Sequence, residues 1–277
     1  MAKKDPSEYT VEEKLKNIGP SAFWFCSKLT SIKIPANVTR IESETFYGCS
    51  GLTTIKIPTN VTHIGSRAFC GCRGLTSIEI PSSVKSIEGN VFRECLEVSS
   101  IKVDKNNKMY DSREDCNAII DSKTNTLITG CMSTIIPNNT TSIGSDAFYN
   151  IRKLTSINIP GSVTSIGATA FRGTRITSIE IPDNVTSIGF GAFWDCERLT
   201  SVKLPNNLSA IESYLFDFCT NLTSIVIPNS VTSIGEKSFA YCRNLNSIEI
   251  PEKVTSIGHS AFYLCTNLRQ ITCHATE

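Results

Sequence analysis

The 277-residue sequence predicts a solenoid, a right-handed coil of about eleven turns with short parallel strands, mostly β with short helical or 3-10 turns. Three observations carry that expectation. A 23-residue phrase, seen whole in LTSIVIPNSVTSIGEKSFAYCRN at 222–244, recurs through most of the chain. Nine of the eleven prolines close the same apolar alternation within it. Ten of the thirteen phenylalanines and eight of the twelve cysteines return at fixed places, so stacked units would align them in columns.

Numbered from its leucine, the phrase reads L-T-S-I-x-I-P-x-x-V-T-S-I-G-x-x-A-F-x-x-C-x-x. Full copies begin at Leu29, Leu52, Leu75, Leu154, Ile176, Leu199, Leu222 and Leu245, with a degenerate one at Cys131. The copy at Leu154 is one residue short. Positions 1, 4 and 6 (Leu222, Ile225, Ile227) alternate as a short strand with one buried face. Proline at position 7 ends it, because proline cannot donate to a ladder. Val231 and Ile234 repeat the spacing in a second extended segment, and the glycine usual at position 14 permits a turn. Phe239 and Cys242 then lie one helical turn apart, both facing inward. No unit closes such a core alone.

Along the chain, residues 1–14 place Ser7, Glu8, Glu12 and Glu13 ahead of Leu15. That pattern predicts a capping helix with its acidic residues at the favourable end of the dipole. Residues 15–97 are regular repeats. Residues 98–130 form an irregular repeat in which Asp104 replaces the proline, and NAIID and TLITG flank SKTN as a β-hairpin insertion. Residues 131–277 are regular repeats again. Their last phrase, LRQITCH at 268–274, leaves Leu268, Ile271 and a strand edge uncovered, which predicts dimerisation through that edge or a longer array.

The unit LTSIEIPDNVTSIGFGAFWDC resembles the BspA-type leucine-rich repeat, over roughly residues 15–274. The resemblance implies a leucine-rich repeat solenoid and a non-enzymatic role in binding a protein ligand. The usual setting would be a surface or secreted adhesin engaging host or neighbouring-cell proteins. An intracellular scaffold or structural subunit is the alternative, since MAKKDPSEYTVEEKLKNIG lacks the apolar core of a secretory signal.

Composition narrows the function further. Lys plus Arg (27) balances Asp plus Glu (26), so there is no basic field for nucleic acid. The longest apolar stretches are a few residues, too short to span a bilayer. His63, His259 and His274 fall in separate repeats, and no Gly-rich phosphate loop, G-x-S-x-G or H-E-x-x-H appears, so no catalytic residues and no cofactor are expected. A β-helix polysaccharide hydrolase would need carboxylates gathered on one face. Position 5 instead mixes Lys33, Lys56, Glu79, Lys102, Asn158, Glu180, Lys203, Val226 and Glu249, as a solvated strand face does.

Cys26, Cys49, Cys72, Cys95, Cys196, Cys219, Cys242 and Cys265 share position 21, an interior column where reduced thiols pack as small hydrophobes. Their parallel Cβ directions oppose bridging. Cys70, Cys116, Cys131 and Cys273 stand elsewhere, and a Cys116–Cys131 bridge across the insertion stays open. No C-x-x-C completes a zinc site, and the acidic run Asp111, Glu114, Asp115 lacks the spacing of a calcium loop, so no metal is expected.

The candidate binding residues are aromatic. Trp24, Phe25, Tyr47, Tyr149, Trp194, Phe218, Tyr241 and Tyr263 fall at positions 19 and 20, which otherwise hold small and polar residues. Two readings stand: an aromatic ridge that binds a partner, or half-buried staples between turns.

Overall fold

The computed structural model describes residues 8–10 and 15–274. The chain forms two compact units, Met1–Lys123 with Thr129–Ser133, and Thr124–Ile128 with Thr134–Glu277. Each is a β-solenoid of parallel-paired turns, and the one helical element among the described residues is a 3-10 turn at Arg113–Asp115.

In the first unit the repeat period sets the register. Ser77–Ile80 pairs in parallel with Ser100–Val103, Ser77 opposite Ser100. Arg40–Ile41, His63–Ile64 and Ser86–Ile87 form a second parallel ladder. Like residues therefore lie over like. Val38, Val61, Ile41 and Ile64 are fully buried, and the rings of Phe46, Phe69 and Phe92 stack at 5.4 Å, nearly parallel. That is the offset-stacked spacing aromatic pairs favour.

The capping helix expected over residues 1–14 is not what residues 8–10 form. Glu8–Thr10 is a strand paired in parallel with Ser31–Lys33. The physical reason is that the first turn leaves a strand edge open, and a strand can satisfy its backbone groups where a helix cannot. The rest of that segment lies outside the described residues.

At the other end of this unit, the irregular stretch fits into the fold through its side chains. Tyr110–Asp111 pairs antiparallel with Ala118–Asp121. Three strand N–H groups on the open edge then find side-chain acceptors. Ile87 N–H donates to Tyr110 Oη at 2.9 Å, Val103 N–H to Ser112 Oγ at 3.0 Å, and Ile101 N–H to Asn117 Oδ1 at 3.4 Å. Asn107 is buried and fully used: Nδ2 donates to the carbonyls of Pro81 and Val84, and Oδ1 accepts from the N–H groups of Met109 and Tyr110.

The second unit repeats the plan. Thr126 and Leu127, Ser142–Ile143, Ser165–Ile166 and Ser187–Ile188 form one parallel ladder, and Ala210–Ile211, Ser233–Ile234 and Ser256–Ile257 another. The short copy at Leu154 stays in phase, Ser165 facing Ser187. Phe148, Phe171, Phe193, Phe216 and Phe239 are fully buried in one stack.

The glycine at position 14 serves close approach rather than a turn. A Cβ on Gly235 would lie 2.4 Å from the backbone nitrogen of Ser213 in the preceding turn, and one on Gly65 would lie 2.5 Å from that of Ser43. Neither residue has a positive φ.

Candidate binding edge

The segment at positions 15–21 decides which side chains reach solvent, and it is not the helical turn expected for A-F-x-x-C. Alternate N–H groups point to different partners. Those of Lys237, Phe239 and Tyr241 donate to the carbonyls of His259, Ala261 and Tyr263 one turn ahead, at 3.1, 2.9 and 2.7 Å. Those of Ala240 and Cys242 close back on Lys237 and Phe239, both at 3.1 Å. The alternation needs left-handed residues at positions 16 and 20, and both units have them: Arg67 and Gly71 in the first, Lys237 and Tyr241 in the second. Phenylalanine and cysteine still face inward, while positions 15, 16, 19 and 20 line an edge.

Position 20 suits glycine, as at Gly48, Gly71 and Gly173. Phe25, Phe218 and Tyr241 hold it with φ of 54°, 59° and 58°, an uncommon and strained conformation for a bulky residue.

In the first unit Trp24 and Phe25 are each 56 % exposed, meet edge to face at 4.7 Å, and lie against the half-buried Tyr47. In the second unit the expected aromatics separate into two clusters. Phe218 stacks on Tyr241 at 4.1 Å, and Tyr241 meets Tyr263, which is 51 % exposed. Trp194 belongs to the other cluster, with Phe190 and Tyr214 at 6.3 and 5.3 Å. Tyr149 is buried, its ring covered by the Arg172 guanidinium at 5.2 Å. Arg172 also lies 3.7 Å from the centre of the Trp194 ring, and the Lys237 ammonium 5.3 Å from that of Tyr214. Sequence reasoning passed over Phe190, Tyr214 and Arg172. The first two sit at positions 15 and 16, whose edge location follows only from the left-handed backbone.

Two acids in this second cluster are unusual. Asp217 is buried, its Oδ1 without a hydrogen-bond partner, and burial pushes its carboxyl up to about 6 against the opposing pull of Lys237. Asp195 is raised as well, by burial and then by Glu197. Asp111, in the first unit, behaves oppositely. Burial works against it, but hydrogen bonds from Arg113 and Ser122 hold it below the usual carboxylate range. Asp111 is therefore already occupied, and among the described residues no group of three or more His, Cys, Asp or Glu sits close enough to hold a metal ion.

None of the twelve cysteines is joined in a disulfide, and Cys116 and Cys131 are not bridged across the insertion. The position-21 thiols also do more than fill space. Cys72, Cys95, Cys219 and Cys242 each direct Sγ at 3.2 Å to the carbonyl of the phenylalanine in the preceding turn. Burial raises the thiols, Cys49 and Cys265 to about 11 and Cys196 to about 12, so each stays a protonated donor.

On the strand faces of the described residues, clefts open where positions 3–6 form no strand. One of about 660 Å³ in the first unit is flanked by Lys56, Glu79, Lys102 and Asp104. Two in the second unit, about 520 and 290 Å³, are flanked by Asn158 and Glu180, and by Val226, Glu249 and His274. Their charges are mixed. Glu180 and Lys203, opposite each other across paired strands, neutralise one another at 2.5 Å.

The sequence profile described as BspA type Leucine rich repeat region (6 copies) matches residues 3–117, 119–243 and 164–276. Among solved structures the chain is similar to a leucine rich cell surface protein from Faecalibacterium prausnitzii. The identity is 26 %, with 100 % of this chain and 81 % of that one covered and a TM-score of 0.64. It is also similar to a leucine-rich repeat protein from Bacteroides ovatus, at 28 % identity, covering 95 % of this chain and 78 % of that one, with a TM-score of 0.54. The pneumococcal vaccine antigen PcpA shares the fold at 18 % identity, with 100 % and 80 % covered and a TM-score of 0.64. No curated protein matches the sequence.

Proposed function

The chain belongs to the BspA-type leucine-rich repeat family, and on that premise we propose that it is a non-enzymatic, protein-binding adhesin displayed at a cell surface or secreted. The observation that carries the reading is the exposure of aromatic side chains at positions 19 and 20, Trp24 and Phe25 in the first unit and Tyr263 in the second. Contiguous exposed aromatic patches mark interaction sites, and Trp and Tyr supply much of the energy at protein interfaces. The cell-surface description of the Faecalibacterium protein supports the compartment. Ile257 and Ile271 are exposed, and among the described residues the Gln270–Cys273 strand is paired on one side only, which supports pairing of that edge with a second copy or with further repeats.

The test is capture of surface-labelled host-cell proteins by the purified chain, set against the Trp24→Ala/Phe25→Ala double variant. The reading expects weaker capture with an unchanged melting temperature. Unchanged capture with a large fall in melting temperature would make these side chains staples. A second reading, an intracellular scaffold, is favoured by the twelve unbridged thiols. Protease protection of the native protein in intact cells separates the two.

A further inference from the structure

We propose that Arg172, Trp194 and Asp217, with Phe190 and Tyr214 beside them, form a binding site for a neutral carbohydrate in the second unit. The three residues occupy position 19 of successive turns. Trp194 carries the Arg172 guanidinium against its ring, and Phe190 and Tyr214 extend the aromatic surface, 5.0 Å from each other. Phe190 is exposed.

The argument turns on two unsatisfied atoms. Nε of Arg172 and Oδ1 of Asp217 are both buried and have no hydrogen-bond partner. An orphaned buried donor or acceptor costs about 1–3 kcal/mol, so each calls for a group that meets it, a water, an ion or a ligand. Here an unused donor and an unused acceptor lie on the turns before and after the same tryptophan. A hydroxyl is the group that donates to a carboxylate and accepts from a guanidinium. A sugar ring carries several on a rigid frame, together with C–H faces that pack on aromatic rings.

Charge selects against the other ligand classes. A cation would meet Arg172 and Lys237, whose charges already act on Asp217. An anion would meet Asp195 and Glu236, the latter accepting from Tyr214 Oη at 3.2 Å. Asp217 is only 2 % exposed, so the ligand reaches it by displacing a half-buried ring of the cluster. The site stands apart from the protein-binding reading and neither requires nor excludes it.

The chain has two tryptophans, so Trp24→Phe leaves Trp194 as the sole reporter. Its fluorescence is titrated with glucose, galactose, mannose, fucose and N-acetylglucosamine, and separately with arginine amide and glucuronate as charged probes. The proposal expects a saturable response to at least one neutral sugar, in the millimolar range typical of a small site. Asp217→Ala, which removes a buried orphan and so should fold at least as well, is expected to weaken that response at least about tenfold. Arg172→Met is expected to weaken it in the same direction. No saturable response to any neutral sugar overturns the proposal. So does a response confined to a charged probe, or an unchanged affinity in Asp217→Ala whose circular dichroism matches the parent.

Discussion

Replacing Phe216 with alanine removes one ring from the middle of the phenylalanine stack. Phe216 is fully buried, between Phe193 at 5.7 Å and Phe239 at 5.6 Å. Truncating a buried phenylalanine costs about 3–5 kcal/mol through lost transfer energy and the cavity left behind. The two ring pairs account for about 0.5–1.5 kcal/mol each of that sum. Phe262 has a single stacked neighbour, Phe239 at 5.4 Å, and is only partly buried. Phe262→Ala should therefore cost about 1–2 kcal/mol, the transfer term for a partly covered side chain. Because a turn touches only its neighbours, the central lesion should also uncouple the turns on either side. Urea unfolding followed by circular dichroism reads both effects. Phe216→Ala should lower the midpoint and either shallow the slope or split the transition, while Phe262→Ala shifts the midpoint slightly at constant slope. Equal losses in the two variants, or a loss at Phe216 under about 1.5 kcal/mol, would refute the stacked-column argument.

Asp217 has a folded pKa of about 6, above its unfolded value of 3.8, so the folded chain holds that proton more tightly. Its contribution to stability is full below the unfolded value and lost as pH rises through about 6. Asp111 works with the opposite sign, so the informative quantity is the melting temperature of Asp217→Asn minus that of the parent. That difference should grow from pH 4 to about pH 7, and a flat difference would contradict the assignment. In the insertion, Asn107→Ala strips four hydrogen bonds from a buried site and should cost about 2–4 kcal/mol, more than the about 1–2 kcal/mol expected for Tyr110→Phe, which removes one acceptor. Chemical denaturation ranks them, and the reverse order would mean the insertion is peripheral to the fold. At the last strand, Ile271→Lys should shift concentrated protein from dimer to monomer in light scattering, and a parent that is already a monomer removes the pairing claim.

The core was legible because its period is written in apolar residues. Leu, Ile, Val, Phe and Cys recur every turn, and the register of Ser77 on Ser100 follows from that spacing alone. The edge was less legible, since its left-handed positions hold residues as different as Arg67, Thr169, Tyr214 and Lys237. Stacking imposes that backbone, and no residue type announces it. Position 14 misled for a related reason: glycine there answers the backbone of the preceding turn, which no single copy displays. The acidic residues before Leu15 fitted a helix dipole, but at Glu8–Thr10 the strand edge at Ser31–Lys33 offered the backbone a better partner. Tyr110, Ser112 and Asn117 match nothing in the repeat, so their capping role became visible only in three dimensions.

The most direct test of the central claim, that the repeated phrase builds sealed interior columns and leaves function to an edge, is a count of thiols. The account predicts that a thiol reagent labels Cys26 and Cys273 promptly in the native protein and Cys265 more slowly, with the nine buried cysteines protected. Under non-reducing denaturation nearly all twelve should then react. Prompt native labelling of Cys219 or Cys242, or fewer than eight reactive thiols after denaturation, would contradict the columns.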